Sequence, residues 1–301
     1  MANSYSNVLL VRNPASGGAK DDVYQAIEEA LGGLGDVSVC EPSSAEAFGG
    51  EVLSAAESAE LVVVAGGDGT LNGTVNALGS RIDSVTIAVI PLGTGNDFAR
   101  TLGVAGDPLE AAHGLSAGEE RTIDVCKASG AGVQRLFVNA CIGGFPVEVD
   151  RELDEGVKKK LGPLAFVAGG IKALPGLERS TVSLNGEDVA DCIAVGAGNG
   201  RTCGGGVEVW PSANPDDGRL DGVALCASNV ARAVALGARV KSGRHEGADG
   251  VVTTRAPKVS VSADPAIEFN VDGELLGLKS PATFEVVGQM RVLVPQRSKN
   301  S

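Results

Sequence analysis

The chain has 301 residues, a formal net charge of -13 at pH 7, 43% hydrophobic residues and 21% charged ones. That length is ample for two domains that each bury a core, and the strong negative balance excludes nucleic acid as a partner and disfavours anionic lipid except through a local basic patch. The six cysteines, Cys40, Cys126, Cys141, Cys192, Cys203 and Cys226, form no C-x-x-C pair and have only His113 and His245 to join them, so neither a zinc site nor a disulfide framework is expected. Residues 1–12 lack a basic region with an apolar core and cleavage site, and no stretch offers eighteen uncharged apolar residues. The expectation is a cytoplasmic protein, with a peripheral position at the inner membrane face and a homodimer both compatible with it.

Residues 8–11 form an apolar run that breaks at Arg12-Asn13-Pro14-Ala15-Ser16-Gly17-Gly18, and Val23, Ile27 and Leu31 follow at helical spacing. This reads as strand, loop, helix, with Asn13, Ser16 and Gly17 placing hydrogen-bonding groups where open α/β sheets bind ligands. A second strand is expected over 37–40 and an Ala- and Glu-rich helix over 44–59. Residues 61–65, Leu-Val-Val-Val-Ala, then read as a strand buried on both faces, as in a parallel sheet. It stops at Gly66, Gly67, Asp68, Gly69 and Thr70. The glycines let backbone N–H groups approach a phosphate closely, and Asp68, which would repel a bare phosphate, makes sense beside Mg²⁺ or a water that the metal holds. Leu71, Val75 and Leu78 share a helical face, so the loop precedes a helix whose positive end favours anions. A third unit repeats the pattern: a buried strand over 85–90, Pro91, then Leu92-Gly93-Thr94-Gly95-Asn96-Asp97-Phe98-Ala99-Arg100 turning into a helix. Three polar loops at three parallel strand ends can converge on one ligand.

Neither G-x-x-x-x-G-K nor G-x-G-x-x-G occurs in these loops, so the P-loop and the dinucleotide fingerprint do not explain them. In order and spacing, Asn13-Pro14 with Ser16-Gly17, Gly66-Gly67-Asp68-Gly69-Thr70 and the stretch from Pro91 to Arg100 resemble the diacylglycerol kinase catalytic-domain family. That family includes bacterial-type lipid kinases and sphingosine kinases. The G-G-D-G-T element is shared with NAD kinases and 6-phosphofructokinases; the G-T-x-N-D-F-A-R element is more specific.

From about residue 121 the texture changes to short strand-like runs over 122–128, 135–141, 181–184, 191–196, 220–226, 259–262, 267–271 and 284–287, which read as an antiparallel β-rich domain. The fold class is therefore an α/β nucleotide-binding domain with a parallel sheet over 1–121, then a β-sandwich-like domain over 122–287. The resemblance implies that the last segment, 288–301 with a strand over 290–295, returns to the first domain.

Further roles come from the resemblance. ATP would lie under the loops, against Asn13, Pro14, Ser16, Gly17, Gly66, Gly67, Asp68, Gly69, Thr70, Asn72, Gly93, Thr94 and Asn96. Cys203-Gly204-Gly205-Gly206 and the stretch from Pro211 to Asp221 resemble a loop that holds a structural Mg²⁺ through Asp217 and the backbone carbonyls of Asn214 and Arg219. Asp97 and Asp124 would link the metal regions. Asp272-Gly273-Glu274 has the position of a tight turn between strands, and by resemblance Glu274, or failing it Asp272, is the general base. The implied activity is an ATP- and Mg²⁺-dependent kinase of a lipid alcohol such as diacylglycerol, presented at a membrane surface. A kinase of a soluble substrate such as NAD and a non-catalytic nucleotide-sensing protein on the same scaffold are the alternatives. Lys158-Lys159-Lys160 beside the apolar residues 161–174, too short to span a bilayer, could sit at an interface or form a core helix.

Overall fold

The structure, a computed structural model, describes residues 3–13, 21–104, 106–144 and 178–296. Pro14, Ser16, Gly17 and the stretch over 158–174 lie outside the described residues. The chain divides into two compact units, one of residues 1–123 with 288–301 and one of residues 124–287.

In the first unit, β1 (Asn7–Arg12), β2 (Asp36–Cys40), β3 (Leu61–Gly66) and β4 (Thr86–Pro91) pair in the order β2-β1-β3-β4, all parallel. The C-terminal end of the last strand, Ala282–Val294, adds beside β4, also parallel, through Arg291 and Val292. Every residue of β3 and β4 is buried, which is why both read as unbroken apolar runs instead of alternating ones. The helices are α1 (Asp21–Leu31), α2 (Phe48–Ala55), α3 (Asp68–Leu78), α4 (Asp97–Leu102) and α5 (Pro108–Gly114). Tyr24, Ile27 and Leu31 carry the buried stripe of α1 at spacings of three and four. The chain reverses direction along the sheet between β1 and β3, the position where open α/β sheets leave a crevice at the strands' C-terminal ends.

The second unit is built from β5 (Glu119–Gly130), β6 (Val133–Phe137), β7 (Ala140–Gly144), β8 (Ser180–Leu184) and β9 (Glu187–Gly198). There follow β10 (Thr202–Cys203), β11 (Val207–Glu208), β12 (Leu220–Cys226), α6 (Val230–Lys241) and β13 (Val251–Ala256). The chain closes with β14 (Lys258–Asp264), β15 (Glu268–Val271), β16 (Glu274–Lys279) and β17 (Ala282–Val294). The order β16-β15-β7-β9-β8-β14-β17 is antiparallel throughout, and β12 pairs with β9 and β13 in the same sense. Its core contains Phe137, Phe269 and Phe284, whose rings meet edge-on at centroid separations of 6.3 Å (Phe137 and Phe284) and 5.1 Å (Phe269 and Phe284).

Several elements differ from expectation, each for a local reason. The helix expected over 44–59 is confined to α2 and a 3₁₀ turn, Ala56–Ser58, because the Glu51 carboxylate accepts from the Ser43 N–H and hydroxyl and holds that segment in a turn. The strand expected over 135–141 is two strands, β6 and β7, broken at Val138 and Asn139. The runs over 284–287 and 290–295 are one strand, β17. Helices α5 and α6 and strand β13 were not anticipated. For α5 a signal exists: Asp107 precedes Pro108 and its side chain accepts from the Glu110 N–H, a capped start with proline in the first turn.

Because Phe284 joins two other rings and is fully buried, Phe284→Ala should destabilise the second unit by about 3–5 kcal/mol. Urea unfolding followed by circular dichroism measures this, and a loss below about 1 kcal/mol would mean that the cluster collapses around the gap.

Candidate active site

The first cluster lies at the C-terminal edge of the parallel sheet. β3 ends at Gly66 and α3 begins at Asp68, with Gly67 between them in extended conformation and no side chain capping the helix. β4 ends at Pro91, and the following loop is shaped by Asn96: its side-chain oxygen accepts from the Gly93 N–H at 2.9 Å while its amide donates to the Gly93 carbonyl at 2.6 Å. Asn96 itself has φ 52°, in the left-handed region that asparagine tolerates better than most residues. The two loops touch backbone to backbone. A Cβ on Gly93 would stand 2.5 Å from the Gly67 Cα, and one on Gly66 would stand 2.7 Å from the Thr70 side chain, so glycine is required at both.

Asp68 joins these loops. Its Oδ2 accepts from the Asp97 N–H at 3.1 Å and its Oδ1 from the Phe98 N–H at 3.2 Å, which makes it a side-chain cap on α4 supplied from another helix. Asp97 is buried at the start of α4, Thr70 is buried in α3, and Thr94 is exposed at the loop tip. Gly69 is the second residue of α3. Asn72 is fully buried inside α3, where its carbonyl and side-chain oxygens accept from the Asn76 amide at 2.8 and 3.1 Å; it belongs to the helix packing. Asn13 follows β1, and its carbonyl accepts from the Tyr24 hydroxyl at 3.3 Å.

The second cluster is the β15–β16 turn. Asp272 and Gly273 have φ values of 46° and 94°, so both central residues of this two-residue hairpin are left-handed, which Asp-Gly favours. The Asp272 carboxylate turns inward, 6% exposed, and accepts from three consecutive backbone N–H groups: Val138 at 2.9 Å, Asn139 at 3.1 Å and Ala140 at 2.8 Å. That nest explains the break between β6 and β7, because three successive donors aimed at one carboxylate cannot also alternate along a ladder. Burial, then the nearby charges of Asp124 and Asp272, push the Cys126 thiol up, and burial, then Asp272, does the same at Cys141, so these cysteines stay protonated and inert. Glu274, two residues on, is exposed at the start of β16.

The third cluster is the loop before β12. Asp124, fully buried, accepts from the Gly218 N–H at 2.7 Å, and its own N–H donates to the Pro215 carbonyl at 2.7 Å. Asp217 accepts from the Arg219 N–H at 3.0 Å through one oxygen and is held by the Arg255 guanidinium through the other. Arg255 also reaches Asp221, Nε to Oδ2, at 3.8 Å. Burial, opposed by the Arg255 charge and reinforced by Asp217, raises the Asp221 carboxyl. A carboxylate with two carbonyls is the hard-oxygen set that Mg²⁺ takes, but here both Asp217 oxygens are engaged and a guanidinium already neutralises them. As arranged, Asp217 has no unengaged oxygen to offer a resident divalent ion beside the Asn214 and Arg219 carbonyls. Among the described residues, no group of three or more His, Cys, Asp or Glu side chains could hold one. Cys203 and the glycines after it form the β10–β11 hairpin, with Gly204, Gly205 and Gly206 all at positive φ.

Sequence spacing alone missed Arg255, Asn96 as the clamp on Gly93, and Asn199, whose amide donates to the Asp124 and Val138 carbonyls at 3.1 and 2.8 Å. Arg255 and Asn199 act on charge and backbone far away in sequence, which no local pattern reports, whereas Asn96 acts on Gly93 three residues before it.

Two outcomes follow from this geometry. Asp272→Asn puts an amide N–H against backbone donors in a buried nest, and it should cost about 2–4 kcal/mol, since hydrogen bonds to a charged group contribute about 1.5–3 kcal/mol each; urea unfolding reads the loss, and wild-type stability in the variant would refute the nest. With Arg255 neutralising Asp217, the melting temperature should be the same in EDTA and in excess Mg²⁺, whereas Arg255→Gln should melt lower and recover in part with Mg²⁺. A wild-type protein that loses stability in EDTA would contradict the guanidinium assignment.

Comparison with known proteins sets these clusters in a family. Residues 7–128 match the diacylglycerol kinase catalytic domain, and residues 140–294 match the YegS C-terminal NAD kinase beta sandwich-like domain. The chain is 34% identical over 263 residues to a protein of Stenotrophomonas maltophilia (strain K279a) named probable lipid kinase YegS-like, covering 85% of this chain and 84% of the other. A protein of the same name from Pseudomonas putida (strain KT2440) shows the same identity and coverage. A solved structure described as a diacylglycerol kinase from Bacillus anthracis str. Sterne superposes with a TM-score of 0.77 at 25% identity, covering 96% of each chain. The antiparallel β-rich second unit and the parallel first one are the two domains of this family, and the chain belongs to the YegS-like lipid kinases.

Proposed function

We propose that the protein transfers the γ-phosphoryl group of ATP to the hydroxyl of a lipid alcohol of the diacylglycerol type. The observation that carries this reading is the division of labour within the Asp272-Gly273-Glu274 turn. Asp272 is committed to three backbone N–H groups, while Glu274 is exposed and carried by a rigid hairpin. A carboxylate in that position suits a general base for an alcohol, and a protein that only binds nucleotide has no use for one.

In the first unit, the glycine loops offer backbone N–H groups and the N-terminal end of α3 to the triphosphate, and Asp68 holds the two loops at fixed separation. ATP enters with its own Mg²⁺, which as part of the substrate spreads the charge that builds on the phosphoryl oxygens. The alcohol oxygen attacks the γ-phosphorus, the bond from that phosphorus to the β,γ-bridging oxygen breaks, and Glu274 takes the hydroxyl proton. The products are a lipid phosphate monoester and ADP. Positioning and electrostatics account for most of the rate in such a transfer, so the loop geometry matters as much as the base.

Incubation with labelled ATP and diacylglycerol, a sphingoid base or NAD separates the lipid reading from the soluble-acceptor one. Label in diacylglycerol alone is the expected result, and label in NAD alone would overturn it. Glu274→Gln should lose about two to four orders of magnitude in rate with unchanged ATP affinity by calorimetry, and the acidic limb of the pH–rate profile should disappear with it. Asp68→Asn should lose about two to three orders of magnitude in rate, and some stability too, because one of its two acceptors becomes a donor facing an N–H. Nearly full activity in Glu274→Gln would place the base elsewhere.

A further inference from the structure

Helix α6 presents an outward face in which valine and alanine stand beside basic residues. Ala233, Leu236 and Val240 bury its inner stripe in the core below β9 and β12. On the other side Val230 and Val234, one turn apart, are 42% and 53% exposed, with the exposed Ala231, Ala235 and Ala238 beside them. An amphipathic helix of a soluble domain normally sets charged and polar residues there. The only charged residues of α6 are basic: Arg232, Arg239 and Lys241, with the exposed Arg244 just beyond. Two acids lie close by in sequence. Asp249 stands 4.0 Å from Arg232, with both side chains largely in solvent, and Glu246 accepts from the Ser212 hydroxyl. A third acid, Glu208, has its carboxylate against Gly243 at the end of the helix, so the four cations exceed the acids beside them by one on a chain whose net charge is -13.

We infer that α6 is the surface by which the protein rests on an anionic lipid bilayer, its valines and alanines entering the boundary of the acyl chains and its basic residues meeting lipid phosphates. The inference rests on the reading that the acceptor is a lipid. Apolar area together with basic residues is what holds a helix in the plane of an interface. Negative charge farther from α6 than a Debye length of about 8–10 Å is screened, and at the contact itself the four cations outnumber the neighbouring acids Asp249, Glu246 and Glu208. A second copy of the chain fits this face less well, because a two-fold contact through α6 would oppose Arg232, Arg239 and Lys241 to themselves. The element needs no insertion: twelve residues of helix are about 18 Å long, which suits lying flat and is too short to cross.

The test is co-sedimentation of the full chain with vesicles of phosphatidylglycerol and phosphatidylcholine, against phosphatidylcholine alone. Binding to the anionic vesicles, weakening with added salt, is expected. Arg232→Glu, Arg239→Glu and Lys241→Glu combined should lower the partition coefficient by about a hundredfold or more, at about fivefold for each cation lost. Val230→Ser with Val234→Ser should weaken it at every salt concentration, with circular dichroism confirming that both variants are folded. Wild-type binding in both variants would overturn the assignment. So would a wild-type dimer in sedimentation velocity that becomes a monomer in the valine variant, since α6 would then be covered by a second copy. Activity on a short-chain, dispersed diacylglycerol should be equal in wild type and variants. A protein that phosphorylates that substrate but binds no vesicle refutes the docking surface and leaves the lipid-kinase reading standing; one that binds through α6 and phosphorylates no lipid does the reverse.

Discussion

The first unit depends on one carboxylate. Asp68 leaves the third strand's loop and caps the helix of the fourth, so that two loops distant in sequence become one rigid element. Everything else in that corner is arranged to permit the contact: glycines at 67 and 93 bring the backbones together, and Asn96 folds the second loop tightly enough to present two N–H groups. An aspartate among glycines invites a purely catalytic reading. The geometry gives it a structural duty first, and any duty toward a metal-bound phosphate would have to be shared with it.

The second unit repeats the device in a buried form. Asp272 gathers three N–H groups where β6 gives way to β7, and the strand break, the left-handed turn and the exposure of Glu274 are parts of one arrangement. Arg255 is the counterpart built from side chains: it gathers Asp217 and Asp221 and steadies the loop whose Gly218 N–H bonds to Asp124. In each case negative charge is matched by donors fixed in the protein, which is how a chain of this acidity can hold carboxylates inside itself.

Much of the parallel sheet is legible because β3 and β4 are buried on both faces and their sequences show it, and because a glycine-rich loop follows each of them. The order of the candidate bases, Glu274 before Asp272, is what the resemblance implies; the nest around Asp272 is a packing feature that no local pattern shows. Helix α6 has a start signal in Asn229, whose side chain accepts from the Arg232 N–H, but its alanines and valines on both faces blur the contrast between buried and exposed sides; the inward and outward residues of β13 are neither clearly apolar nor clearly alternating. The break at residues 138–139 could not be foreseen, as its cause lies 133 or 134 residues further along the chain.

A still longer separation bears on how the protein is made. The sheet of the first unit receives its edge strand from Arg291 and Val292, beside Thr86 and Ile87 of β4. On the ribosome, β4 therefore waits with an open edge while the whole second unit is translated, on the order of ten to thirty seconds at about 5–20 residues per second. Throughout that interval an apolar strand offers unpaired N–H and C=O groups to any neighbouring nascent chain. Truncation ahead of Arg291, a loss of the last eleven residues, would make the interval permanent and should be felt as poor yield and aggregation of the first unit, although those residues lie far from its loops in sequence.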